Sequence, residues 1–129
     1  MPVVQISTRI GLTSAQKRAL LDAVHEALMA AFKIPDTDRT QRLSEFAPDA
    51  FDIPAGKGPR YTLVEIAAFP GRSRDAKRAL YREIVTRFEA VGVPADDVFI
   101  VLSEHPLENW GLRGGQAACD LEYAKATLP

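Results

Sequence analysis

The sequence is poor in the residues that most often announce chemistry. A single cysteine, Cys119, stands among 129 residues, which excludes an internal disulfide and a thiolate metal cluster and fits a reducing cytoplasm. Imidazoles are limited to His25 and His105, without H-x-x-x-H spacing, so no zinc site is expected. No G-x-S-x-G elbow, Walker loop or dinucleotide fingerprint occurs, and Gly111, Gly114 and Gly115 do not open a helix after a strand. No cofactor is expected. No apolar run approaches the ~18 residues of a membrane span, and Met1 to Val4 lack the basic and apolar regions of a signal peptide. With 16 basic and 17 acidic residues, the formal net charge of -1 offers no field for nucleic acid or a membrane surface. An anion site, if present, is local.

What is present is the balance of a globular protein, 47% hydrophobic and 26% charged, in a length that suits one domain spanning residues 1–129. Residues 2–7 are short, β-branched and partly alternating, and read as a strand with Pro2 at its first position. Thr13-Ser14-Ala15-Gln16 has capping-box form, and Leu20, Val24, Leu28, Ala31 and Phe32 recur at helical spacing, which predicts a helix over about 14–32. Gln41 to Phe46 is a candidate second strand. Residues 61–69 give the strongest strand signal and stop at Pro70-Gly71; a helix follows from about Ser73, with Leu80, Ile84, Phe88 and Val91 on one face and Gly92 as its stop. Residues 98–102 form another strand. The segment after Pro106 shows no clear period.

The order repeats. Lys17-Arg18-Ala19-Leu20 returns as Lys77-Arg78-Ala79-Leu80, and Ile34-Pro35-Asp36 is echoed by Val93-Pro94-Ala95-Asp96. Two βαβ halves, about 2–58 and 59–129, are implied, each with a parallel crossover. The expected fold is α+β: a mixed four-stranded sheet with two helices on one face. The other face is left bare, so oligomerisation is expected to cover it.

Several side chains are candidates for chemistry, each with an ordinary structural reading beside the functional one. Pro2 would carry a secondary amine once Met1 is removed, and such an amine is a usable acid or base, titrating near ~7.7–8.0 unless its surroundings move it. Arg72 and Arg74 bracket Ser73 at the second helix and suit a carboxylate, or simply form a solvated basic helix start. Asp38, after the first helix, is placed to hold the amine's proton or activate water, or else belongs to a surface turn. Trp110 suits a pocket wall or a core position.

Together, Pro2 after Met1, the duplicated βαβ pattern, Asp38, Arg72-Ser73-Arg74 and Asn109-Trp110 resemble the malonate semialdehyde decarboxylase group of the tautomerase superfamily, over nearly the whole chain. The resemblance implies a homotrimer and a small carboxylate substrate. It implies Pro2 as the catalytic amine, Arg72 and Arg74 as carboxylate ligands that also polarise a carbonyl, Asp38 as partner of amine or water, and Trp110 and Leu112 as pocket lining. Leu112 departs from the aromatic residue of the decarboxylase pattern and leaves the substrate open. His25 matches the place of a functional histidine in a related dehalogenase branch, or packs within its helix.

Two chemistries follow from the charge of the amine. Neutral Pro2 would shuttle a proton alpha to a carbonyl, as a keto–enol tautomerase of a phenylpyruvate-like or 2-hydroxydienoate-like acid. Protonated Pro2, kept so by Asp38, would serve as the general acid of a decarboxylase or hydratase acting on a small 3-oxo or unsaturated acid, and Asp38 favours this reading. A non-catalytic trimeric binding protein on the same scaffold is the third expectation.

Overall fold

The computed structural model describes residues 1–125 and 128–129. The main elements are β1 (Val3–Arg9), α1 (Ser14–Phe32), β2 (Thr40–Phe46), β3 (Thr62–Ala68), α2 (Arg74–Ala90) and β4 (Val98–Glu104). The sheet order is β2-β1-β3-β4, with β1 parallel to β2, β3 parallel to β4, and the two halves joined by an antiparallel β1–β3 pair. The expected duplicated fold is thus the one observed. β1 runs to Arg9 rather than Ser7, because Thr8 and Arg9 continue the ladder against Glu45 and Phe46 of β2. Likewise β4 continues to Glu104, opposite Ala68.

Both helices start where their hydroxyl caps sit. The Thr13 hydroxyl accepts from the Gln16 N–H at 3.1 Å while the Gln16 side chain accepts from the Thr13 N–H at 2.8 Å, a closed capping box. Ser73 caps α2 by accepting from the Ala76 N–H at 3.1 Å. A cap of this kind contributes about 1 kcal/mol. α1 ends as Lys33 turns left-handed with φ 58°, and α2 ends just before Gly92 at φ 94°. Val91 therefore lies just past the helix, in the capping position.

Strand alternation decides which face is buried. Val4 and Ile6 of β1 and Val64 and Ile66 of β3 meet Val24 and Leu28 of α1 and Leu80, Ile84 and Phe88 of α2, all at most 1% exposed. The opposite sheet face carries Phe99, 52% exposed, and Val101, 39% exposed, an apolar surface that none of the described elements covers. After β4 the chain forms a two-residue hairpin, β5 (Gly111–Leu112) with β6 (Gln116–Ala117), and 3-10 turns. Phe69, Ala118, Leu121 and Ala124 make a second small core there, with Met1, Trp110 and Leu112 packed against it.

Candidate functional site

Register brings the candidates together. Val3 pairs with Thr40 of β2 and with Ala67 of β3, so the residue before β1 lies beside the loop entering β2 and the loop leaving β3. Pro2, Asp38 and Arg72 come from those three segments and meet at one pole of the sheet. Pro2 is buried, and Met1 extends from it into a cleft of about 370 Å³ lined also by Phe32, Asp38, Phe69 and Arg72. A wider outer lobe of about 410 Å³ shares Met1, Pro35, Asp38 and Tyr123 and adds Thr37, Leu112 and Arg113.

The Asp38 carboxylate lies 3.6 Å from the Met1 amino nitrogen. That nitrogen belongs to Met1, the residue preceding Pro2. Its pKa is lowered from the ordinary 8.0, chiefly by burial; Asp38 opposes this as a charge and hydrogen-bond partner, while Arg72 adds to it. The loop that presents Asp38 is a tight turn, closed by the Asp38 N–H donating to the Pro35 carbonyl at 3.0 Å.

Arg72 is 9% exposed. Its guanidinium lies over the Phe32 ring, 4.3 Å from the centroid, and its Nε–H has no hydrogen-bond partner among the described residues. Burial pulls its pKa below the usual guanidinium range, and the charges of Glu104 and Asp38 work against that shift. A buried cation with an unpaired N–H is costly without an anion, and Arg72 lines the cleft, so the residue suits a carboxylate entering from solvent. The neighbouring Ser73 N–H donates to the Pro129 carbonyl oxygen at 2.9 Å, so that helix-start donor is already occupied.

The remaining candidates divide. Arg74 is exposed on the first turn of α2 and does not line the cleft of a single chain. Trp110 stands behind the wall rather than in it. Its ring meets Phe69 edge-on with centroids 5.1 Å apart, and its indole N–H donates to the His105 carbonyl at 3.0 Å. Leu112 lines the outer lobe. His25, 2% exposed, lines neither lobe; its Nε2 lies 2.9 Å from the Asp36 carbonyl oxygen, so it ties α1 to the loop that carries Asp38.

Sequence reasoning missed Phe69, Tyr123 and Arg113 as lining residues. Arg113, at φ 48°, places its guanidinium 4.3 Å from the centre of the Tyr123 ring at the outer lobe. Phe69 was legible only as the end of a strand, and the other two lie in the aperiodic segment. Among the described residues no group of three or more His, Cys, Asp or Glu side chains is placed to hold a metal, and no helix is long and apolar enough to cross a membrane.

Comparison with known proteins identifies the family and the fold. A family model described as tautomerase enzyme matches residues 38–113, and a second of the same description matches residues 2–59. The chain is 29% identical over 123 residues to the probable tautomerase YusQ of Bacillus subtilis (strain 168), covering 91% of this chain and 97% of that protein. The structure of FG41 malonate semialdehyde decarboxylase inhibited by 3-bromopropiolate superposes with a TM-score of 0.84 at 27% identity, covering 98% of this chain and 99% of that one. A fused 4-OT symmetric trimer superposes with a TM-score of 0.81 at 26% identity, over 91% and 96% of the two chains. The fold, the matched residues and these relatives establish that the chain belongs to the tautomerase superfamily of enzymes.

Proposed function

We propose that this enzyme acts on a small 3-oxo or unsaturated carboxylic acid as a decarboxylase or hydratase, with Pro2 as general acid after removal of Met1. The observation that carries the reading is the Asp38 carboxylate 3.6 Å from the amino terminus, in a cleft also lined by Arg72, whose Nε–H has no partner among the described residues. Asp38 stabilises the charged amine, and Arg72 receives the substrate carboxylate. Arg74, which has no ion-pair partner among the described residues, swings to the cleft mouth as a second donor and to polarise the carbonyl. Leu112 and the Phe69 wall, backed by Trp110, exclude water from one side.

With a 3-oxo acid, the protonated amine donates a hydrogen bond and then its proton to the C-3 carbonyl oxygen. The bond from C-2 to the carboxylate breaks, its electron pair forms the enol double bond, and carbon dioxide leaves. The enol collects a proton at C-2 from solvent and returns its hydroxyl proton to the amine, so one proton is consumed overall. With an unsaturated acid, Asp38 takes a proton from water as the oxygen adds at C-3, and Pro2 protonates C-2. Either step draws on charge stabilisation in a partly dry site, where positioned donors contribute most.

A second reading has its own support. Burial and Arg72 outweigh Asp38 at the Met1 amine, whose pKa is lowered, and a neutral Pro2 would be the base of a keto–enol tautomerase. A panel of 3-oxo acids, acetylenic acids and enol tautomers, assayed with the wild type and Pro2→Ala, separates the readings. Carbon dioxide release or hydration lost in Pro2→Ala supports the first; enol–keto conversion alone, lost in the same variant, supports the second. Equal rates in both proteins would remove Pro2 from the chemistry. The uncovered face bearing Phe99 and Val101 supports a homotrimer, as in the fused 4-OT trimer of the same fold.

A further inference from the structure

The repeat that builds the Pro2 cleft builds a second one at the opposite pole. Arg60 and Tyr61 precede β3 as Met1 and Pro2 precede β1, and Leu12 precedes the Thr13 cap as Arg72 precedes the Ser73 cap. Pro94 and Asp97 close the same turn as Pro35 and Asp38, with the Asp97 N–H donating to the Pro94 carbonyl at 2.9 Å. Where these segments meet, a small recess of about 20 Å³ lined by Thr8, Leu20, Val91 and Val93 opens into a lobe of about 260 Å³. Arg9, Leu12, Gln16 and Arg60 line both spaces.

The chemistry of this pole differs from that of the first. Tyr61, 8% exposed, replaces the amine-bearing residue, and Leu12 replaces the buried arginine. The Asp97 carboxylate accepts from the Gly58 N–H at 3.3 Å and does not line the cleft. Among the described residues no acidic side chain lines either space. Glu45 lies nearby, yet it is engaged by the Gly11 and Leu12 N–H groups at 3.2 Å and by Lys17 at 2.6 Å.

Two cations remain at the cleft. Arg9 spends its Nε–H on the Phe51 carbonyl and one Nη2 donor on the Pro48 carbonyl, meeting no carboxylate. Arg60 has no ion-pair or side-chain hydrogen-bond partner among the described residues. Deep in the recess the Thr8 hydroxyl, on a residue 4% exposed, has no partner either. Buried polar groups are nearly always satisfied, and the recess has the room of one water or one methyl group beside that hydroxyl.

We propose that this pole is a second, non-catalytic binding site for a small organic monocarboxylate. The carboxylate meets the Arg60 guanidinium, and the short apolar end points past Leu12 towards Thr8. Without an amine at Tyr61 the occupant is held and not converted.

Titration of the full-length, nitrogen-15-labelled protein with sodium butyrate, against sodium chloride at equal ionic strength, tests this site. Saturable shifts are expected at the Leu12, Arg60 and Val93 amides, with a dissociation constant separate from any shifts at Val3, Thr37 and Arg72. Arg60→Met should weaken the Leu12 and Val93 response tenfold or more, Arg60→Lys less so, while the rest of the spectrum certifies the fold. Shifts that fail to saturate, that chloride reproduces, or that survive Arg60→Met unchanged overturn the proposal. Failure at the Pro2 cleft alone would count against the catalytic reading and leave this one standing.

Discussion

Asp38 and Arg72 face the same amino terminus with opposite effects: the carboxylate, 3.6 Å from the amine, raises its pKa, and the guanidinium lowers it. Removal of Met1 would leave the proposed catalytic amine of Pro2 beside the same two side chains.

Substitutions should therefore move the Pro2 amine in opposite directions. Asp38→Asn removes the raising charge and lowers its pKa; Arg72→Ala removes a lowering charge and raises it. Each shift of one unit corresponds to about 1.4 kcal/mol of differential stabilisation of the charged form. Nitrogen NMR titration of the processed protein reads both directions, and a wild-type value near or above the ordinary amine range supports the acid mechanism. A value well below that range supports the tautomerase reading.

Arg72 should dominate substrate binding. Loss of a charge-assisted hydrogen bond costs about 1.5–3 kcal/mol, so Arg72→Ala is expected to lower kcat/KM by roughly 10- to 150-fold, with Arg72→Lys retaining part. Arg74→Ala should cost less, because its exposed side chain is solvated before substrate arrives. Equal losses in the two variants would give Arg74 a place inside the cleft.

His25 acts on the fold that carries Asp38. His25→Leu leaves the Asp36 carbonyl without its partner at 2.9 Å and should cost about 1–3 kcal/mol of stability. The pH profile of kcat/KM should keep its shape, measured beside thermal unfolding. Disappearance of an ionisation from that profile would instead give His25 a role in proton transfer.

Glu45 makes a prediction about acid stability. Its pKa is lowered, first by the hydrogen bond with Lys17 and then by the Leu12 and Gly11 N–H groups, with desolvation opposing. A depressed carboxylate contributes stability above its unfolded value, about 4.3, and loses it as pH falls through the folded value. Glu45→Gln should lower Tm at pH 7, and the difference from wild type should close as acid protonates Glu45.

Legibility in the sequence followed how local each feature is. α1 was readable to the residue because its start is a box of adjacent side chains and its stop is Lys33 followed by Pro35. β2 was faint because it is an edge strand whose residues are exposed or half-buried, leaving little alternation to detect. The C-terminal segment had no period because Trp110 is placed by Phe69, and Ser73 meets Pro129, across long stretches of chain. Pro2, Asp38 and Arg72 were readable as a set only through the family resemblance, to which the repeat contributed. The exposure of Arg74 and the stacking of Arg72 on Phe32 depend on side-chain packing that no spacing encodes.

Covalent labelling is the most direct test of Pro2 as the proposed catalytic group. Incubation of the processed enzyme with 3-bromopropiolate, followed by peptide mass mapping, should show one adduct on the Pro2 nitrogen that rises as activity falls, and little adduct in Arg72→Ala. Inactivation with an unmodified N-terminal peptide, or with the label on Cys119, would contradict the account.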